Sequence, residues 1–191
     1  MHLIVGLGNP GEKYATTRHN VGFWALDALT ENYTFSNWSE KFKGFIATGT
    51  IGTEKIILLK PMTFMNLSGE SVQKAMAFYK LTPEDITVIH DEIDLNPQDL
   101  RIKTGGGSAG HNGLKSISQC LSSPEYQRIR IGVGHPAALG RSQEVSAYVL
   151  ENFSKEEAPH FEDLCKKIAK TMPDILNGDT RKAVSSIKEN S

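Results

Sequence analysis

Short apolar runs that stop at glycine, asparagine or proline alternate along this chain with apolar stripes at helical spacing. That alternation constrains the fold more than any other feature. Leu3-Ile4-Val5-Gly6-Leu7 is closed by Gly8-Asn9-Pro10-Gly11, the pattern of a buried strand followed by a tight loop. Val21, Trp24, Ala25, Ala28 and Leu29 then recur at i, i+3, i+4, i+7 and i+8, which predicts a helix over residues 20–31 with Asn20 as its N-cap. The runs 42–51 and 55–60 flank Gly52-Thr53 and read as a hairpin, and a second amphipathic helix follows Ser68. Ile86–Ile89 and Leu100–Thr104 are strands. The glycine-rich stretch Gly105–Gly113 leads into a helix with Leu114, Ile117 and Leu121 inward. Arg128–Val133 alternates basic and apolar residues, as a half-exposed strand does, and Ser154-Lys155-Glu156-Glu157 is a capping box for a helix that turns Phe161, Leu164, Ile168 and Met172 inward. Strands alternating with helices, plus one hairpin, predict an α/β fold: a single domain over residues 1–191 with a mixed twisted β-sheet surrounded by helices.

A length of 191 residues suits one domain. No run approaches the ~18 apolar residues of a membrane span, so no membrane association is expected. The opening MHLIVGLGNPG carries no basic leader and enters a strand directly, which argues against a secretory signal. Cys120 and Cys165 match no zinc or redox spacing, so a reduced, cytoplasmic protein is expected, with no metal and no cofactor. A net charge of −1 hides an uneven distribution. Residues 1–100 carry 8 basic and 12 acidic groups, and residues 142–191 carry 7 and 9; residues 101–141 carry 6 basic groups and Glu125 as their one acid. A basic segment inside an acidic chain suits a phosphate-bearing ligand approaching one face.

Gly6-x-Gly8-x-x-Gly11 after the first strand matches the dinucleotide fingerprint in letters only. Pro10-Gly11 stands where the pyrophosphate-binding helix should start, helical periodicity begins only near Val21, and no acid ends a second strand ~20 residues on. These glycines therefore read as a turn. The polar residues that need a role are grouped elsewhere. Asn9 and Asp91 are expected just beyond the C-terminal ends of two strands, the edge where open α/β sheets bind ligands, and His19 would converge with them if those strands are parallel neighbours. His19 with Asp91 is a general-base pair in its simplest form, the carboxylate holding the tautomer of an imidazole that titrates near neutrality. A metal site built from His19, His90, Asp91 and His111 lacks helical ligand spacing. No serine or cysteine sits in a nucleophile setting, so a hydrolase of this sequence would use water. Asn9, Asn66 and Asn112 can each donate and accept, which suits an oxyanion or a peptide backbone, although Asn112 can equally serve as a helix cap.

Taken together, V-G-L-G-N-P-G-x-x-Y, T-R-H-N-V-G, K-P-x-T-F-M-N-L-S-G, H-D-E-I-D-L, G-G-G-S-A-G-H-N-G-L-K-S-I and R-I-R-I-G-V-G-H-P resemble the bacterial peptidyl-tRNA hydrolases, in that family's order and over most of residues 3–136. The resemblance implies a monomeric, metal-free enzyme that hydrolyses the ester between tRNA and a peptide or N-blocked amino acid, returning tRNA to translation. It makes His19 the catalytic base and Asp91 its partner. Asn9 becomes the residue that tells N-blocked from free aminoacyl-tRNA, and Asn66 joins it at the reacting ester. Tyr14, Phe64, Met65, Asn66, His111 and Asn112 would line the site for the tRNA 3′-end and peptide, and Lys103 and Arg130 would hold a tRNA phosphate. The resemblance loosens from Ala137 onward, so it leaves open how that part covers the cleft.

Overall fold

The computed structural model describes residues 1–189. Among them, seven strands form one sheet: β1 (His2–Gly6), β2 (Ser39–Lys41), β3 (Gly44–Ile51), β4 (Glu54–Pro61), β5 (Ile86–Glu92), β6 (Leu100–Thr104) and β7 (Gln127–Gly132). Their order is β2-β3-β4-β1-β5-β7-β6. β4, β1, β5 and β7 run parallel at the centre, while β2, β3 and β6 are antiparallel at the flanks. The sheet is mixed because β3 and β4 form a tight hairpin and β6 pairs antiparallel with β7 even though a helix lies between them in the chain.

The strand period of two divides the core. Ile4, Leu58, Ile89 and Ile129 face α1 (Val21–Asn32), α5 (Ala158–Leu176) and α6 (Thr180–Glu189). Leu3, Val5, Leu59 and Val88 face α2 (Ser68–Phe78) and α3 (Asn112–Leu121). α4 (Val145–Val149) is one short turn near the sheet edge. Both faces of the parallel strands are thus covered, which is why they read as continuous apolar runs.

The first glycine of the pseudo-fingerprint has a steric role. A Cβ on Gly6 would lie 2.2 Å from the Gly22 carbonyl oxygen, and one on Gly22 would lie 2.4 Å from the Leu7 nitrogen. α1 therefore crosses β1 backbone to backbone, and two short 3-10 turns, Glu12–Tyr14 and Arg18–Asn20, fill the connection.

Four expectations need correction. β5 continues to Glu92, so Asp91 lies inside the strand and not in a following loop. β7 is mostly buried: Arg128 is enclosed because the 105–110 loop folds over it and accepts its hydrogen bonds through the Gly106 and Gly107 carbonyls. The N-cap of α3 is His111 rather than Asn112. Of the capping box, Ser154 Oγ accepts from the Glu157 nitrogen, but the Glu157 carboxylate turns to Arg18.

Candidate active site

Four segments bring polar groups to the C-terminal edge of β1, β4 and β5. Asn9 follows β1, His19 lies in the 3-10 turn before α1, Asp91 is the penultimate residue of β5, and His111 caps α3. Parallel pairing of β1 with β5 supplies the convergence. The cleft they floor holds about 660 Å³.

Asp91 is the centre of the arrangement. Its Oδ2 lies 2.8 Å from His19 Nδ1, and its Oδ1 lies 2.9 Å from His111 Nε2. His111 Nδ1 accepts from the backbone nitrogens of Gly113 and Leu114 at 3.1 and 3.3 Å. That ring is therefore neutral with its proton on Nε2, donated to Asp91. Burial pushes the Asp91 carboxyl up, but the charge of His19 and the N–H donors of His19 and His111 outweigh it and hold the group well below the usual carboxylate range. For His19, burial lowers the pKa, but the Asp91 charge and hydrogen bond raise it by more, leaving the imidazole above its ordinary value. With Nδ1–H given to Asp91, His19 Nε2 is the free basic atom.

His90 lies behind this row. Its Nδ1 donates to the Asp91 carbonyl at 2.8 Å, its ring meets that of His111 edge-on at 5.2 Å, and burial pushes its pKa down to about 3, so it stays neutral.

Asn9 is fixed from three directions. Its backbone N–H donates to Asn20 Oδ1 at 2.9 Å, its carbonyl accepts from Asn20 Nδ2 at 3.0 Å, and its own Oδ1 accepts from the Met65 nitrogen at 2.8 Å. Because Oδ1 faces a backbone donor, Nδ2 must be the atom turned to the cleft. Tyr14, Phe64, Met65, Asn66 and Asn112 also line the cleft, and Phe64 is 58% exposed. Lys103 and Arg130 do not. They project from one face of the β6–β7 pair, where Arg130 Nε donates to Glu92 Oε1 at 3.0 Å. Glu92 also lines the cleft.

Sequence reasoning missed two contributions. Val145, Ser146, Val149 and Leu150 wall the cleft from α4 and its end, in the stretch where the resemblance loosens. Arg18, 1% exposed, ties that wall to the turn bearing His19: Nη1 donates to the Tyr148 carbonyl and Glu151 at 3.2 Å, Nη2 to Glu157 at 3.3 Å, and the guanidinium lies 4.1 Å from the centre of the Tyr148 ring. The signal for it was available in the arginine preceding His19 and the acidic residues Glu151 and Glu157.

His19, Asp91 and His111 place ligand-type atoms within 4.8 Å of one another. His111 fits poorly as a metal ligand, since the nitrogen facing Asp91 must keep its proton while the other caps α3.

The chain matches the family model described as peptidyl-tRNA hydrolase over residues 3–191. It is 52% identical to the peptidyl-tRNA hydrolase of Dinoroseobacter shibae, across 98% of this chain and 78% of that protein. It is 51% identical to that of Parvibaculum lavamentivorans, across 93% and 85%. The crystal structure of peptidyl-tRNA hydrolase from Acinetobacter baumannii superposes with a TM-score of 0.88 at 40% identity, covering 98% of this chain and 94% of that one. A match over nearly the whole chain, in sequence and in fold, places this chain in the peptidyl-tRNA hydrolase family.

Proposed function

We propose that this protein cleaves the ester joining a peptide, or another N-blocked amino acid, to the 3′ ribose of tRNA, with water activated by His19. The observation that carries this reading is the Asp91–His19 hydrogen bond of 2.8 Å at the floor of the cleft, which leaves Nε2 as an oriented base. His19 Nε2 takes a proton as a water oxygen attacks the ester carbonyl carbon. Asp91 balances the imidazolium, and amide hydrogens of Asn66 or of Asn9 hold the oxyanion. Collapse breaks the carbon–oxygen bond to ribose, and the imidazolium returns its proton to the leaving 3′ oxygen. The products are a free carboxylic acid and intact tRNA.

Asn9 Nδ2 is suited to the first peptide carbonyl, a group that a free aminoacyl ester lacks. Leaving such a buried donor unmatched is an effective way to reject an analogue. Phe64 and Tyr14 offer ring faces to the terminal nucleotide, with Met65 and Asn112 beside them. Lys103 and Arg130 stand apart from the cleft on the basic face, a placement suited to a phosphate some distance from the ester. Every group invoked comes from one chain, which supports a site complete in a monomer, and a tRNA substrate supports a cytoplasmic location. No helix among the described residues is long and apolar enough to cross a membrane.

The deciding experiment is release of N-acetylated amino acid from charged tRNA, beside the unacetylated form. Rapid release from the first and little from the second is expected. Asn9→Asp, which removes the donor and attracts an ammonium, should narrow the ratio of their kcat/KM values. An unchanged ratio would move discrimination to another residue, with Asn112 next.

A further inference from the structure

The glycine stretch before α3 is not accounted for by the cleft chemistry, and its underside is unusual. Arg128, 1% exposed, donates to the carbonyls of Gly106, Gly107 and Pro124, has no partner at Nε, and pairs with no carboxylate among the described residues. It is a buried cation compensated by carbonyl oxygens and by the face of the Tyr126 ring, 4.6 Å from the guanidinium carbon, with no countercharge among the described residues, so its charge is felt through the thin loop above it.

The loop's other side follows from peptide geometry. In a trans peptide the C=O and the next N–H point in opposite directions, and no cis bond is present among the described residues. With the Gly106 and Gly107 carbonyls turned down to Arg128, the N–H groups of Gly107 and Ser108 are turned away from it, and neither makes a hydrogen bond within the described residues. Gly106 adopts φ 98°, which a side chain would resist. A Cβ there would lie 2.8 Å from Lys103 Nζ, so the lysine ammonium rests directly against the loop. Lys103 has no ion pair among the described residues, and Arg130 projects from the same face of the β6–β7 pair. The Glu125 carboxylate lies beside Gly105.

We propose that the 106–108 loop is a phosphate seat: the backbone N–H groups of Gly107 and Ser108, with Lys103 Nζ, bind one phosphate oxyanion of the RNA, and Arg128 is the positioning residue that orients them. Successive free N–H groups in a concave turn are a known anion-binding device, and a cation behind the carbonyls strengthens it. The seat rests on the reading that tRNA lies on the β6–β7 face. It adds that part of this recognition is made by backbone, which cannot be identified by scanning surface cations. The same oxyanion chemistry is offered by inorganic phosphate and by a polymer phosphate.

The test is amide chemical shifts of ¹⁵N-labelled full-length protein, titrated first with inorganic phosphate and then with uncharged tRNA. The Gly107 and Ser108 amides should shift downfield with tRNA. A matching shift with inorganic phosphate means that the seat takes a lone oxyanion, and its absence means that the seat needs the polymer. Gly107→Asp fits sterically, because a Cβ there meets nothing within 4 Å. It should abolish these shifts and raise KM for intact tRNA substrate about tenfold, the size of one lost charge-assisted contact. If tRNA perturbs Lys103 and Arg130 but leaves both amides unmoved, the seat is wrong and the basic face stands. If tRNA perturbs nothing on β6–β7, the basic-face reading falls with it.

Discussion

Asn20 grips the backbone of Asn9 at two points, accepting from its N–H at 2.9 Å and donating to its carbonyl at 3.0 Å. A side-chain amide thus substitutes for a strand neighbour just where β1 has ended. Asn20 does not line the cleft, so its effect on chemistry must pass through Asn9. Asn20→Ala leaves both Asn9 groups unmatched in a buried site, at a cost of roughly 1–3 kcal/mol in stability. Below its melting transition the variant should still lose kcat on N-acetylated substrate and part of its preference over free aminoacyl-tRNA. A variant less stable but unchanged in that preference would make the grip purely structural.

His111 modulates His19 through their shared carboxylate. Its Nε2–H draws charge from Asp91, and removing it should let Asp91 stabilise the imidazolium of His19 more strongly. In the native protein His19 is already raised above its ordinary value, so the base form, and with it kcat/KM, is lost as pH falls through a value above 6.5. His111→Ala should move that acid limb to still higher pH while lowering the plateau. It should also destabilise the fold by about 0.5–2 kcal/mol through loss of the α3 cap. A limb moving to lower pH would contradict the hydrogen-bond direction assigned to His111.

Acid sensitivity should trace in part to His90. Its folded pKa is depressed to about 3 by burial. A depressed histidine contributes stability that is fully present above its unfolded value near 6.5 and is lost as pH falls from there toward 3, by at most ~1.4 kcal/mol per unit. His19, with a raised pKa, contributes in the opposite sense, so the native curve alone does not isolate either. The difference between native protein and His90→Asn does. Denaturant midpoints at pH 7 and pH 5 should show the native protein losing more stability than the variant, and equal losses would mean that His90 becomes protonated without unfolding the chain.

Much of this was legible in the sequence because local pattern and tertiary role coincide. The apolar run of β1, the stripe of α1 and the hairpin each bury what their periods say they should. His19, Asp91 and the asparagines were recognisable because polar residues stood in short clusters, Asn9 and Asp91 of them at strand ends, whereas Tyr14 came only through the family resemblance. What escaped depends on contacts far apart in sequence. Arg128 sits at the solvent position of an alternating strand, and only a loop some twenty residues earlier, folding back, encloses it. Arg18 is a charged residue, a type rarely buried without partners, and its carboxylates lie 133 and 139 residues away. α6 escaped because, of its ten residues, only Ala183 and Ile187 are buried, too few for a stripe. His111 displaced Asn112 as the cap because an imidazole nitrogen can accept from the helix N–H groups while its opposite edge serves Asp91.

The central claim is that His19 is the base for water. Single-turnover hydrolysis of N-acetylated aminoacyl-tRNA, with enzyme in excess, measures that step apart from product release. His19 lies in a turn and not in the core, so His19→Ala should fold and bind tRNA normally. It should hydrolyse bound substrate some 10²–10⁴-fold more slowly, the usual contribution of a general base. A His19→Ala protein that turns over its bound substrate at close to the native rate would contradict the account.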